Sequence, residues 1–122
     1  MGELEEERAK GKTEEVLIAQ LQSCLADLSS ADVGKILFAY EPVWAIGTGK
    51  TATPEIAESA HALCLSFLQK TFKVKPPILY GGSVKPENIA SLLKMPNING
   101  ALVGGASLNV STFVQLIKGV SS

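Results

Sequence analysis

No run of about 18 apolar residues occurs anywhere in the chain, which excludes a membrane-spanning helix. The opening Met1-Gly2-Glu3-Leu4-Glu5-Glu6-Glu7 lacks both the basic and the apolar regions of a secretory signal. Cysteine is scarce: Cys24 and Cys64 are the two present, both fall in helical patterns, and neither has CxxC spacing. They read as buried thiols of a reducing compartment rather than as a disulfide framework, and the expected location is cytoplasmic. Charge of one sign is also missing. Eleven Lys and Arg against 12 Asp and Glu leave a formal net charge of −1, so nothing marks the chain for nucleic acid or an anionic membrane. No internal repeat or low-complexity tract appears, and collagen, coiled-coil and secreted mini-protein classes are set aside. What is abundant is apolar content: 46% of the 122 residues, enough to fill the core of a single domain spanning residues 1–122.

Half of the acidic residues crowd the first fifteen positions among Arg8, Lys10 and Lys12, which reads as a solvated helix start or fraying segment. From Thr13 a helical period appears in Val16, Leu17, Leu21, Cys24, Leu25 and Leu28. Ser29 to Gly34 reads as a loop. Lys35 to Tyr40 is a continuous apolar run, the signature of a parallel strand covered on both faces. Glu41 to Lys50, with Pro42, Gly47 and Gly49, is a loop. Thr53-Pro54-Glu55 opens a second helix with a cap, a first-turn proline and an acid near the dipole. Pro76-Pro77 precedes a short strand, Ile78-Leu79-Tyr80, which ends in Gly81-Gly82-Ser83. Pro86-Glu87 starts a third helix, and Asn97 to Gly100 is a turn. A third strand, Ala101-Leu102-Val103, ends in Gly104-Gly105, and a last helix holds Phe113, Val114, Leu116 and Ile117.

The order, one helix followed by three strand–helix pairs, predicts an α/β fold with a parallel sheet. Three strands leave two open edges, an association hazard. A complete (β/α)₈ barrel takes about 250 residues, so the element pattern suggests a piece of a barrel. A flavodoxin-like sheet would want five strands. All three strand ends lie on one side of a parallel sheet, where barrels place their active sites. Glu41 follows the first strand, and a glycine pair follows each of the others. A glycine pair alone often marks close packing or a turn; two pairs, each directly after a strand, predict a phosphate site built from backbone N–H groups. Glu41 taken alone reads more readily as a surface acid of a loop than as a general base, since structural acids are far commoner.

Together these residues resemble one family. Ala39-Tyr40-Glu41-Pro42-Val43-Trp44-Ala45-Ile46-Gly47-Thr48-Gly49-Lys50 resembles the active-site segment of the triosephosphate isomerase family. Tyr80-Gly81-Gly82-Ser83-Val84 and Leu102-Val103-Gly104-Gly105-Ala106-Ser107-Leu108 resemble its two later motifs, in order and spacing. Gly2-Glu3 and Gly11-Lys12-Thr13 resemble the stretch just after its fifth strand, so the likeness covers essentially the whole chain. It implies the C-terminal half of a (β/α)₈ barrel, with about three parallel strands and four helices, running from the fifth helix to the eighth.

The resemblance also implies roles. Glu41 would be the general base that moves a proton between adjacent carbons of dihydroxyacetone phosphate and glyceraldehyde 3-phosphate through an enediolate. Pro42 to Ala52 would be a mobile loop that closes over substrate, with Pro42, Val43 and Trp44 taking part in closure and Trp44 in its N-terminal hinge. Backbone N–H groups of Gly47, Ser83, Gly104 and Gly105 would hold the phosphate, and Tyr80 with Ser83 would latch the closed loop. No metal or other cofactor is implied. The family's Asn and Lys after its first strand, and its electrophilic His after its fourth, have no counterpart in these residues. The expectation is therefore that the 122-residue chain alone is inactive, and that it forms a homo-oligomer through its open sheet edges. The alternative reading is a non-catalytic, self-associating half-barrel scaffold. His61, mid-helix, reads as a surface or packing residue, because a catalytic His needs a cleft, and the cysteines have no base or metal partner at readable spacing.

Overall fold

The computed structural model describes residues 1–121; Ser122, the end of the expected domain, lies outside the described residues. Its elements run α1 (Glu5–Ala9), α2 (Thr13–Leu25), α3 (Ser30–Val33), β1 (Phe38–Tyr40), α4 (Pro54–Phe72), β2 (Ile78–Tyr80), α5 (Ile89–Leu93) and α6 (Val110–Val120). Two short 3₁₀ turns, Val43–Ala45 and Gly105–Ser107, follow sheet segments. The α/β class and parallel pairing agree with the sequence. The element count does not: two strands and six α-helices stand among the described residues, where three and four were expected.

Each difference has a physical cause. β1 and β2 pair in parallel with Phe38 opposite Ile78 and Tyr40 opposite Tyr80. That register sets Leu37 and Ile36 beside Pro77 and Pro76, which have no N–H to give, so the expected strand from Lys35 begins only at Phe38. The third strand shrinks to one bridge, Tyr80 with Ala101. Around it Asn99 N–H donates to Ile78, Tyr80 N–H to Gly100 and Leu102 N–H to Tyr80. Gly81 N–H then donates to the Tyr40 carbonyl at 2.8 Å, the ordinary alternation of a middle strand, and the ladder on the other side does not extend beyond Leu102. Ser29 was expected in a loop, but its hydroxyl accepts the Asp32 N–H and caps α3. α5 starts at Ile89 rather than at Pro86-Glu87, because the Asn88 side chain folds back onto the Lys85 N–H.

At the other edge of β1 the first residues behave like a strand. Met1 N donates to the Ala39 carbonyl at 2.9 Å, Glu41 N–H to Met1 and Val43 N–H to Glu3. Gly2 is required there, since a Cβ would sit 1.7 Å from the Glu41 carbonyl oxygen.

Phe38, Tyr40, Ile78 and Tyr80 are buried on the sheet face that α4 covers, and α2 packs on α4. Leu17, Leu21 and Leu25 of α2 and Ala57, Ala60, Cys64 and Leu68 of α4 fill the space between. Side chains of opposite parity fare differently: Ala39 and Leu79 are half-buried and Leu37 is 59% exposed. The sheet is thus covered on one face, not two. Cys64 is buried as expected, with its thiol pushed up to about 12 by burial. Cys24 is exposed, contrary to expectation, because it lies beside Leu37 at the uncovered side of β1. Among the described residues no helix is long and apolar enough to cross a membrane.

Candidate functional site

The parallel sheet sends the ends of β1, β2 and the Ala101 segment to one side of the molecule. There Gly47, Ser83, Gly104 and Gly105 line one open pocket of about 330 Å³, with Gly81 and Lys85 among its other walls. These residues are up to 58 positions apart in the chain (47 to 105), and the strand ends bring them together. A Cβ on Gly47, Gly104 or Gly105 would meet open space, so these glycines leave their backbone bare to the pocket. Gly47 also has φ +66°, a conformation costly for any residue with a side chain. The Ser83 N–H is occupied in this conformation, donating to the Ala45 carbonyl at 3.1 Å. It becomes available to an anion only if the Val43–Ala45 turn shifts.

Glu41 is half-buried at the end of β1. Its side chain lies over Gly81, where a Cβ would approach its Cγ to 2.5 Å, so Gly81 gives the carboxylate its room. Gly82 plays the same part for Tyr80: a Cβ would come within 2.2 Å of the phenol oxygen. Tyr80 is fully buried, and burial raises its phenol above the usual range, the backbone of Ala52 acting in the opposite sense.

Glu3, which no sequence pattern marks as functional, anchors the loop after Glu41. It is fully buried. Its Oε1 accepts the Tyr40 O–H at 3.0 Å, the Trp44 Nε1–H at 3.2 Å and an Arg8 guanidinium N–H at 3.2 Å. The Arg8 guanidinium also lies 5.2 Å from the centre of a Trp44 ring, close enough for a cation–π contact. Pro42 is buried, Val43 is fixed through its N–H, and Trp44 is held by its ring, whereas residues 46–51 are exposed. The start of the loop is held by buried groups, whereas its tip is held at the surface, by the Thr48 hydroxyl donating to the Trp44 carbonyl and by Lys50 beside Glu5. Burial, and then the charge and hydrogen bond of Glu3, push the Tyr40 phenol far above its ordinary range, so it remains a donor.

His61 is buried, on the packing side of the two readings the sequence left open. Nδ1 lies 3.1 Å from the Asn97 carbonyl, and the ring meets Tyr40 edge-on. Burial lowers its pKa against the raising effects of that carbonyl and of Glu58, so the ring is neutral near pH 7. Among the described residues no cluster of three His, Cys, Asp or Glu side chains has the geometry to hold a metal ion.

Comparison with known proteins places these motifs in a family. The model of the family described as Triosephosphate isomerase matches residues 1–120. The triosephosphate isomerase of Geobacter metallireducens is 51% identical over 97% of the chain and 49% of its own length. That of Fusobacterium nucleatum is 51% identical over the same shares, and that of Protochlamydia amoebophila is 46% identical over 97% of the chain and 46% of its own length. The chain spans about half the length of the curated relatives it matches. With a family model covering nearly every residue and three glycine and acid motifs converging on one side of a parallel sheet, the chain belongs to the triosephosphate isomerase family.

Proposed function

We propose that residues 1–122 form the C-terminal half of a (β/α)₈ isomerase that interconverts dihydroxyacetone phosphate and glyceraldehyde 3-phosphate. The observation that carries this reading is the meeting of Gly47, Ser83, Gly104 and Gly105 around one pocket, with the Glu41 side chain over the adjoining Gly81. The backbone N–H groups of those glycines grip the substrate phosphate, with that of Ser83 joining once the loop shifts. The Glu41 carboxylate takes a proton from one carbon of the bound triose and returns it to the neighbouring carbon, while a second proton passes from the hydroxyl oxygen of the one carbon to the carbonyl oxygen of the other, so hydroxyl and carbonyl exchange places with no net oxidation. The loop from Pro42 to Ala52, hinged at Val43 and Trp44, folds over the pocket and excludes water from the enediolate. Tyr80 and Ser83 hold its closed form.

The enediolate oxygen needs an electrophilic partner, and the family's electrophilic His and its Asn and Lys have no counterpart among the residues lining the pocket. One missing electrostatic partner typically costs about 10²–10³ in rate. The 122-residue chain on its own is therefore expected to bind phosphate compounds without turning them over. The test is its isomerisation rate beside that of Glu41→Gln: equal rates are expected, and a rate well above the variant's overturns the inactivity. Phosphate binding that Gly104→Val abolishes supports the grip.

A second reading, a self-associating scaffold, draws on Leu37 at 59% and Leu102 at 47% exposure, both beside the sheet. Binding separates the two readings. A scaffold without a working grip ignores phosphate, whereas an isomerase half does not.

A further inference from the structure

Backbone N–H groups offer partial charges. A phosphate monoester brings nearly two full negative charges into the pocket, whose walls are otherwise glycines, small side chains and apolar groups. One lining residue is ionisable: Lys85. Its main chain is firmly placed. Its N–H donates to Asn88 Oδ1 at 2.8 Å, and its carbonyl accepts from the N–H groups of Asn88 and Ile89 at 3.1 Å each. Asn88 Nδ2 donates in turn to the Ser83 carbonyl at 3.0 Å, so one side chain ties Lys85 to a proposed phosphate ligand two residues away.

The side chain of Lys85 is left to solvent. Three exposed lysines lie beside acids, Lys10 with Glu6, Lys35 with Asp32 and Lys50 with Glu5; what sets Lys85 apart from the remaining exposed lysines is its place in the wall of this pocket. Among the described residues no carboxylate lies within ion-pair distance of Lys85. The result is a fixed backbone, a flexible four-carbon stem and an unengaged ammonium at the rim of an anion-sized pocket. We propose that Lys85 is the charge-supplying residue of this pocket, reaching over its rim to a phosphate dianion that the glycine backbone holds. This rests on the phosphate-pocket reading above and adds to it a residue that acts by charge rather than by hydrogen-bond geometry.

The assignment predicts a particular pattern. An ammonium in solvent, several ångströms from a dianion, is worth a few-fold in affinity and is screened by salt. Inorganic phosphate would be titrated near neutral pH, at low and at physiological salt, and followed through the amide NMR signals of Gly47, Ser83, Gly104 and Gly105. In the unaltered chain these signals shift, and the affinity falls as salt rises. Lys85→Met weakens binding about fivefold at low salt and flattens the salt dependence, and Lys85→Arg restores both. The position is exposed, so an unchanged NMR fingerprint away from the pocket is expected in both variants. Equal affinity in the unaltered chain and Lys85→Met overturns the role of Lys85 and leaves the pocket standing. The same holds if Lys85→Arg binds as weakly as Lys85→Met. If phosphate moves none of the four amides in the unaltered chain, the pocket reading fails, and Lys85 fails with it.

Discussion

A buried carboxylate that serves three donors on one oxygen is costly to remove, because each donor is then left without a partner. Glu3 is in that position. Tyr40 and Trp44 point to it from the interior, while Arg8, about a third exposed, can turn to water if the acid goes. The loss is therefore less than for a fully buried ion pair. Glu3→Ala should lower stability by about 2–3 kcal/mol, read from the urea midpoint. Glu3→Gln keeps one acceptor and should cost about half as much. Trp44 is the chain's single tryptophan, so its emission reports the clamp directly. A red shift in Glu3→Ala with little change in Glu3→Gln is expected, and no shift in either would detach Glu3 from the loop. Sequence could not expose this residue, because its partners lie 5, 37 and 41 positions away. Glu41 and the Gly81-Gly82 pair stand where the sequence places them, directly after β1 and β2.

A strong local signal made α4 legible, weaker local ones at Ser29 and Asn88 were missed, and features set by a distant neighbour could not be read. The Thr53 cap and first-turn proline of α4 came through intact, with the Thr53 hydroxyl accepting the Ile56 N–H. The truncation of β1 depends instead on prolines 40 residues later, and the third strand on how far the Ala101 segment follows β2. The link between α4 and the Asn97 turn belongs with these. Glu58 accepts both the backbone and the side-chain N–H of Asn97, and His61 one turn later meets its carbonyl. Tyr40 packs on the same ring, with Glu3 behind it. Because the folded pKa of His61 lies below its unfolded value near 6.5, the unfolded chain binds more protons as pH falls through that value. Stability is thus fully present above about pH 6.5 and is lost below it, by at most about 1.4 kcal/mol per pH unit. Urea unfolding from about pH 7.5 to 5.5 should show this slope, and His61→Gln should flatten it over the same interval. A slope unchanged in the variant would place the titration on the carboxylates.

At the scale of the whole molecule the bare sheet face governs behaviour. Leu37 and Leu102 sit beside β1 and β2 with about half their surface in water, and α6 leaves Val110, Ile117 and Val120 exposed as well. A parallel sheet is ordinarily covered on both faces, and its edges invite pairing. A second copy of the chain offers the same apolar surface, and in a two-fold contact every residue counts twice. Burying the exposed half of one leucine is worth about 1 kcal/mol, hence about 2 kcal/mol for a symmetric pair. Light scattering after size exclusion should therefore give a multiple of the 12.8 kDa chain mass. Leu37→Lys should weaken association at least tenfold, since about 1.4 kcal/mol is a factor of ten, and the double variant with Leu102→Lys about a hundredfold or more. Both positions are exposed within one chain, so the variants should fold as well as the parent. If the parent runs as a compact monomer, the sheet face is covered from within its own chain. If lysine at both positions leaves the mass unchanged, the copies meet elsewhere, and the apolar stripe on α6 is the next surface to alter.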